Sequence, residues 1–387
     1  MISFPKLSHI SAGITAVVVG YSSSVVMIIE AARAAGATPD MVMSWILSLS
    51  IGMGVTCIGF SIRYKVPVVT AWSTPGAAFL MGAVSDFELS DIIGAFILSA
   101  VLCIVAANSK AITNGIKAIP VAISSAMLAG ILLPLCLGVF QQTSDYPILV
   151  FSFVALYLVG SVLFPRFLML VLLIAALAAS IFLSEPSLSD FDLSLPQLVW
   201  TTPTFSIDAF IGLAVPLFVI TLLSQNLPGI AVLNSYGYKV KTGPVLTGLG
   251  LSNLIAAPFG GFAFNFAAIT AAICMGEEAG SDKNQRYLAA VMAGITYLLF
   301  GIATGVVVVI FTLMPAAVIS ILAGLALLAT FQASILKSLD AQNTRKAALL
   351  TFLFSASGIT FIKLAAPVWG LVIGLLTVQL DKIKRGL

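Results

Sequence analysis

The sequence carries very little charge. Its 387 residues include 18 Lys and Arg, 15 Asp and Glu and a single histidine, so only 9% of the chain is charged. A soluble domain carries about 25% charged residues, so this composition excludes a water-soluble globule. What the chain has instead is 60% hydrophobic residues and a mean hydropathy of +1.13. The composition predicts an all-α polytopic membrane protein.

Cysteine and histidine are also scarce. The four cysteines lie in apolar runs without a Cys-x-x-Cys pair, and the one histidine, His9, stands near the start. The sequence therefore offers no disulfide framework, metal-spacing cluster, nucleophile–base pair or cofactor fingerprint. We predict no catalytic residue, no cofactor and no metal, and a membrane-embedded enzyme is the weaker alternative. Basic residues are spread over many loops, which disfavours nucleic-acid binding.

Apolar runs long enough to enter a bilayer recur along the whole chain. We predict fourteen spans, at residues 11–34, 42–62, 67–85, 90–108, 119–139, 147–164, 167–184, 208–235, 242–257, 258–276, 286–311, 314–332, 346–362 and 364–381. Two of these spans, 67–85 and 258–276, begin with proline and are interrupted near the middle by Ser, Thr, Pro or Gly. We expect both to be broken into a short extended stretch and a half-helix.

The distribution of Lys and Arg predicts how the spans are oriented. With both termini in the cytoplasm, 16 of the 18 basic residues fall on the cytoplasmic side, and only Arg33 and Lys363 fall outside. An excess of positive charge on cytoplasmic loops is typical of membrane proteins. We therefore predict a multi-pass protein with both termini in the cytoplasm.

The two halves of the span order resemble each other. Residues 119–130 carry Pro and Leu-Ala-Gly in an order that returns in residues 314–324, 194 to 195 positions later. Pro67 and Pro258 open the two broken spans at an offset of 191. Each half has seven spans, so the second half enters the membrane from the opposite side. This predicts a 7+7 inverted repeat, an architecture of many secondary transporters.

The broken spans are the predicted binding site, because non-helical backbone survives in a membrane only where it is buried in protein or lines a polar cavity. In the first, Ser73 or Thr74 is expected to cap a half-helix that has Pro75 in its first turn. In the second, Asn265 is expected to cap a half-helix over 266–275. Two helix N-termini facing one volume favour an anion. A simple kink and a tight interhelical turn are the respective alternatives.

Polar and aromatic side chains in and beside these segments supply the candidate substrate-binding residues. Polar groups at membrane depth usually bind a ligand or join helices, and aromatic rings suit a flat apolar ligand with one charged end. The candidates are Tyr21, Ser23, Trp72, Ser73, Thr74, Gly76, Gln225, Asn226, Phe262, Phe264, Asn265 and Thr270.

Glu30 is the only carboxylate well inside a predicted span. Intramembrane acids are functional candidates by default, which makes Glu30 the candidate for proton coupling. Arg33 lies one turn further along the same span, close to the outer interface. A surface ion pair between the two is therefore the alternative.

Three sequence strings point to a known family: residues 70–78 (TAWSTPGAA), 224–231 (SQNLPGIA) and 267–274 (AAITAAIC). With them the chain closely resembles the bacterial benzoate membrane transporter (BenE) family, nearly from end to end. The resemblance implies benzoate uptake coupled to protons across the bacterial inner membrane. The implied partners are an aromatic acid, protons and the lipid bilayer, and a homodimer is left open.

The resemblance also implies a fold similar to that of the uracil and nucleobase transporters. A core domain, at 1–110 (spans 1–4) and 208–312 (spans 8–11), would move against a gate domain, at 111–207 (spans 5–7) and 313–387 (spans 12–14). Substrate would lie between spans 1, 3, 8 and 10.

The chain departs from the family pattern at two positions and from the nucleobase relatives at others. Family members often carry His or another polar residue where this chain has Phe262, and Gln is common where it has Glu30. The nucleobase relatives use carboxylates in spans 8 and 10, but the aligned positions here lie near Gln225 and Thr270, which do not ionise. The proton path is not visible in the sequence. An exchanger or carrier for another small organic anion or a nucleobase remains the alternative function.

Overall fold

The computed structural model describes residues 5–109, 119–184, 195–312, 314–362 and 364–384. Within these ranges the chain is almost entirely helical, as its composition predicts. Four of the basic residues used to orient the spans lie outside the described residues: Lys110, Lys117, Lys363 and Arg385.

The helices are labelled α1 to α15 in chain order. Their bounds are Leu7–Ala34 (α1), Pro39–Tyr64 (α2), Thr74–Ala83 (α3), Leu89–Asn108 (α4), Val121–Gln141 (α5), Pro147–Leu163 (α6), Leu168–Ser184 (α7), Ile207–Ser235 (α8, with two π-turns), Thr242–Ala256 (α9), Ile269–Met275 (α10), Tyr287–Ile302 (α11), Thr304–Thr312 (α12), Ala316–Leu339 (α13), Arg345–Ala356 (α14) and Ala366–Lys384 (α15). Two-residue strands complete the structure: Thr70–Ala71 (β1), Asn265–Phe266 (β2), Thr360–Phe361 (β3) and Leu364–Ala365 (β4).

Eight helices in the described ranges are long and apolar enough to cross a membrane, namely α1, α2, α4, α5, α8, α13 and α15, and α11 together with the 3-10 turn before it (Lys283–Ile302). The other predicted spans coincide with shorter helices. Helices α6 and α7 each have 17 residues and α9 has 15, whereas α14 has 12 and is followed by the β3–β4 hairpin. The broken spans contain α3, with 10 residues, and α10, with 7. A count of fourteen crossings therefore stays a prediction.

Small residues let neighbouring helices approach closely, which is how helices associate where lipid removes the hydrophobic driving force. Helix α2 packs along α11 at Gly54 and Gly294: a Cβ at Gly54 would stand 2.9 Å from the Gly294 carbonyl oxygen. Helix α5 meets α14 at Gly130, where an added Cβ would lie 2.7 Å from the Phe352 carbonyl oxygen. These contacts would not tolerate larger side chains without backbone movement.

Local features recur along the chain at one constant offset. Strand β2 follows β1 by 195 positions (265 − 70), and α10 follows α3 by the same number (269 − 74). Pro120 and Pro315 are the N-cap residues of α5 and α13, again 195 apart (315 − 120). Pro67 and Pro258 are not equivalent in this register, since Pro67 precedes β1 by three residues and Pro258 precedes β2 by seven (265 − 258). The predicted offset of 191 for the broken spans is therefore wrong by four.

Gly260 allows the chain to leave α9 and enter the second broken span. It has φ +84°, and a Cβ at this position would lie 1.7 Å from Cδ1 of the Trp45 indole ring. The left-handed conformation costs a residue with a Cβ roughly 1–2 kcal/mol, and the clash adds to that cost.

We therefore expect Gly260→Ala to lower the free energy of unfolding by at least about 2 kcal/mol. The measurement is the thermal midpoint of the detergent-solubilised protein. Gly59→Ala is the matched control, since a Cβ at that helical glycine would meet no atom within 4 Å. Equal midpoints for the two variants would contradict the packing described for Gly260.

Candidate binding site

The two broken spans meet through β1 and β2, which pair in antiparallel fashion. Thr70 lies opposite Phe266, and Ala71 lies opposite Asn265. The Ala267 N–H also donates to the Val69 carbonyl oxygen at 3.0 Å. Since unpaired backbone groups are very costly in a bilayer, this pairing explains how both predicted spans can interrupt their helices.

Side chains from neighbouring helices accept hydrogen bonds from backbone N–H groups that the strand pairing does not use. In the second broken span, Asn226 Oδ1 accepts from the Phe266 N–H at 3.0 Å, and Asn253 Oδ1 accepts from the Phe264 N–H at 2.9 Å. Both asparagines are buried, at 1% and 5% exposure. Asn226 is a predicted site residue, but its carbonyl group is used for structure.

The first broken span is held by the end of α2. The Thr70 N–H donates to Cys57 Sγ at 3.1 Å, and the Thr70 hydroxyl lies 2.7 Å from that of Thr56. Ser61 Oγ accepts from the Val68 N–H at 3.1 Å. The cysteine thus serves as a small buried acceptor rather than as a reactive thiol.

Helix α3 begins with the predicted cap. Ser73 is its N-cap residue, and Ser73 Oγ accepts from the Gly76 N–H at 3.0 Å. The Ala77 N–H bonds to the Ser73 carbonyl oxygen, and Pro75 has no N–H. In this first turn, the Thr74 N–H and the half-buried Thr74 hydroxyl have no hydrogen-bond partner among the described residues. Both are therefore available to a ligand.

The predicted cap of the second half-helix is wrong. Helix α10 begins at Ile269, three residues later than expected for a helix from Phe266, and its N-cap residue, Ala268, has no side-chain bond. Asn265 lies in β2 instead, because pairing with Ala71 keeps this segment extended.

Asn265 is nevertheless the most distinctive polar group of the site. Its side chain is fully buried, and Nδ2 donates to the Ala263 carbonyl oxygen at 3.0 Å. Its Oδ1 has no hydrogen-bond partner among the described residues. A buried acceptor without a donor is costly, so such an atom is a natural contact for a ligand.

Helix α1 reaches the first broken span through Trp72. The Trp72 Nε1–H donates to Ser24 Oγ at 2.8 Å, and the Tyr21 and Trp72 ring centroids are 5.0 Å apart. Ser23, the predicted candidate, bonds only to the Gly20 carbonyl oxygen within α1. Ser24, the next residue in the run Ser22-Ser23-Ser24, is the one that sequence reasoning missed.

Phe262 and Phe264 pack into the protein. The Phe262 ring stacks on Phe96 at 5.0 Å and meets Trp45 edge-on at 5.9 Å. The Phe264 ring lies against Gly52 of α2, where an added Cβ would be 2.1 Å from Cζ. Both side chains are 1% exposed. The structure does not bring either ring into contact with Tyr21 or Trp72.

The remaining candidates surround the strand pair. Gln225 lies half-buried in a π-turn of α8 (Leu222–Asn226), a helix irregularity common at functional sites, and no hydrogen bond of its side chain is found among the described residues. Thr270 packs its methyl group against Gly20, where an added Cβ would be 2.8 Å away. A Cβ added at Gly76 would likewise lie 2.8 Å from Cδ1 of Leu217.

Two cavities lie along α3. The larger, of about 360 Å³, is lined by α1, α3, α5 and α13 and has Glu30 and Arg33 in its wall. Arg33 Nη1 donates to Glu30 Oε1 at 2.9 Å. The smaller, of about 200 Å³, continues beside α3, α5 and the β3–β4 hairpin.

A family model described as "Benzoate membrane transport protein" matches residues 3–380. The chain belongs to the benzoate membrane transport protein family. It is 38% identical to the "Benzoate membrane transport protein" of Acinetobacter baylyi over 373 residues, covering 96% of this chain and 94% of that protein. It is 37% identical to the "Inner membrane protein YdcO" of Escherichia coli over 363 residues, covering 94% and 93%.

Solved structures with a similar fold are much more distant in sequence. The transmembrane domain of the cyanobacterial bicarbonate transporter BicA has a TM-score of 0.63 and 15% identity, covering 99% of this chain and 98% of that domain. The structure of SLC26A9 has a TM-score of 0.64 and 14% identity, covering 97% of this chain and 66% of that protein. This member of the benzoate membrane transport protein family therefore shares the fold of those proteins.

The hydrogen bond between Asn226 and Phe266 gives a stability prediction. Asn226→Ala leaves the Phe266 N–H buried without an acceptor, which should cost about 1–3 kcal/mol. We expect a lower thermal midpoint in detergent for this variant. Ser224→Ala is the control, because Ser224 Oγ bonds only to the Ile220 carbonyl oxygen of the same helix. A midpoint for Asn226→Ala no lower than that of the control would refute the structural role of Asn226.

Proposed function

We propose that this chain is a secondary active transporter that imports benzoate or a similar aromatic carboxylate together with protons by alternating access. Its family, and a relative of 38% identity that is named for benzoate transport, support the substrate class. The structural observation that carries the proposal is the hydrogen-bonded meeting of two broken spans, because it fixes the first turn of α3, which holds Thr74, three residues after the Ala71–Asn265 pair.

The proposed architecture is fourteen spans in a 7+7 inverted repeat, with both termini on the cytoplasmic side of a bacterial inner membrane. The constant offset of 195 between β1 and β2, and between α3 and α10, supports the repeat. Gly36 and Gly237 add to it, since they follow α1 and α8 with φ of +79° and +75°. Residues 1–110 and 208–312 then form the core domain, and 111–207 and 313–387 form the gate domain.

The ligand's carboxylate would be bound by neutral groups. The Thr74 N–H and hydroxyl, in the first turn of α3, have no hydrogen-bond partner among the described residues, and Ala71, three residues earlier, is paired with Asn265. Gln225 offers an amide without a described partner. The Tyr21 and Trp72 rings supply an aromatic wall for the apolar part of the ligand. Backbone and side-chain dipoles of this kind stabilise an anion without a buried cation.

One observation favours a second substrate class. The unpaired atom of Asn265 is an acceptor, and an acceptor is matched by a donor such as the N–H of a uracil-like base. A carboxylate can accept a hydrogen bond from Asn265 only if the second N–H of its Nδ2 group points to the ligand, or if the side-chain amide rotates so that Nδ2 takes the place of Oδ1. Competition by uracil and by benzoate in one uptake assay separates the two substrates.

Proposed alternating access requires the core and gate domains to separate on one side at a time. In the structure Arg166, between α6 and α7, forms an ion pair with Glu278, which lies in the turn after α10. This pair connects the proposed gate to the proposed core on the predicted cytoplasmic side. The cavities along α3 lie on the opposite, outer side in the same topology.

The substrate prediction is tested by uptake of labelled benzoate into proteoliposomes with an inward proton gradient. We expect uptake above that of empty liposomes and stimulation by the gradient. Asn265→Ala and Gln225→Ala should each reduce uptake at limiting benzoate by about tenfold, the effect of losing one strong hydrogen bond. Ser235→Ala, at the exposed end of α8, is the control. Uptake that is indifferent to both substitutions would disprove the site assignment.

The ion pair gives a separate prediction about the conformational equilibrium. Arg166→Glu places two carboxylates together and should favour opening on that side. Because exposed ion pairs contribute about 0.2–1 kcal/mol, we expect a change in transport rate of no more than about fivefold. The Arg166→Glu, Glu278→Arg double variant should restore the wild-type rate.

The matched control for this charge reversal is Lys239→Glu, since Lys239 is exposed and forms no ion pair within the described ranges. A double variant that is no closer to wild type than Arg166→Glu alone would show that the pair does not govern the rate.

A further inference from the structure

The larger cavity, of about 360 Å³, shares no lining residue with the strand pair, and the positively charged Arg33 side chain forms part of its wall. Its volume is at the low end of the roughly 300–1,000 Å³ typical of small-molecule sites. Within the described ranges, its charged lining residues are Glu30 and Arg33 on α1. Helices α3, α5 and α13 contribute uncharged residues, among them Met81, Leu135 and Ile319.

Arg33 has donors to spare. One of its nitrogens, Nη1, binds one oxygen of Glu30 at 2.9 Å, and no second side-chain partner is found for Arg33 in the described part of the chain. A guanidinium group has five N–H donors in a planar fork that matches a carboxylate. The Arg33 side chain is 35% exposed, so these donors are accessible.

The cavity wall also suits an aromatic ring. Met81, Pro134, Leu135 and Met314 place apolar atoms beside the ion pair. A cation at one edge and apolar walls beside it match a molecule that has a carboxylate on a flat hydrocarbon ring. A fully polar anion would leave these walls without a complementary partner.

The two cavities adjoin each other along α3. They share Met81, Pro134 and Leu135, and the smaller cavity reaches Ala78 on α3. Ala78 is one helical turn after Thr74, which has the free donors at the start of that helix. The cavity beside Arg33 thus lies further along the same helix whose first turn holds Thr74.

We propose that Arg33 binds the carboxylate of an aromatic monocarboxylate in this cavity as an entry site, and that the Glu30 carboxylate competes with the ligand for the same guanidinium group. The entry site rests on the proposed transport function and adds a second binding position to it. Glu30, the candidate for proton coupling, then acts by occupying or releasing Arg33.

The test measures half-saturation for labelled benzoate separately from each face of the membrane, in right-side-out and inside-out vesicles. Arg33→Gln should raise the half-saturation concentration about three- to tenfold from the outer face only, which is the effect of losing a charge contact at a partly exposed site, with the maximal rate retained. Arg33→Lys should lie between this variant and wild type. Glu30→Gln should lower the outer half-saturation concentration, because it removes the competing carboxylate.

Arg63→Gln is the matched control, since Arg63 lies in the last turn of α2 and lines neither cavity. All variants are checked for a single symmetric peak in gel filtration, and Glu30→Gln keeps the test decisive if Arg33→Gln does not fold. Wild-type uptake with unchanged outer half-saturation in the Arg33 and Glu30 variants would overturn the entry site alone. An equal change from both faces would also overturn it. Absence of both benzoate uptake and benzoate binding in the wild-type chain would overturn the proposed function together with the entry site.

Discussion

The structure depends on one constraint: backbone polar groups inside a bilayer must find partners within the protein. The two broken segments interrupt their helices, and the backbone groups that this frees are satisfied by the pairing of β1 with β2 and by side chains from α2, α8 and α9. Three polar side chains in largely apolar helices supply these partners, namely those of Asn226, Asn253 and Ser61. Most polar groups near the candidate site are thus already committed to the fold.

This commitment leaves a small, identifiable set of groups for a ligand. The cap of α3 is occupied by Ser73, which leaves Thr74 as the free donor of that turn. Asn265 contributes one unpaired buried oxygen, and Gln225 contributes a half-buried amide. The neutral character of this set agrees with the scarcity of charge in the spans. The Arg33 side chain is 35% exposed, so its charge avoids the cost that burial beside the strand pair would impose.

Sequence reasoning succeeded where the signal is local. The start of α3 was predictable because Ser73 and Pro75 carry their own conformational preferences, and the membrane character follows from composition alone. The start of α10 was not predictable, because β2, just before it, is held extended by hydrogen bonds to β1, which begins 195 positions before β2. The directions of Phe262 and Phe264 were hidden for the same reason, since Ala263 between them has φ +52° and their neighbours belong to α2 and α4. Ser24, which accepts from the Trp72 indole, lies one residue and about 100° around the helix from the predicted Ser23, and the sequence alone does not say which of the two faces the broken span.

The pairing of β1 with β2 has a mechanical consequence. The two strands come from opposite halves of the sequence, yet their hydrogen bonds join them into one piece with the polar atoms that flank them. Pulling α3 away from α10 would expose those backbone groups to hydrocarbon, which is far more expensive than sliding one apolar helix surface past another. In the proposed alternating access, a molecule held at the strand pair would therefore move together with both strands as one rigid body. The surfaces that slide would then lie outside the strand pair, and substitutions that alter the transport rate without altering substrate affinity should be sought there.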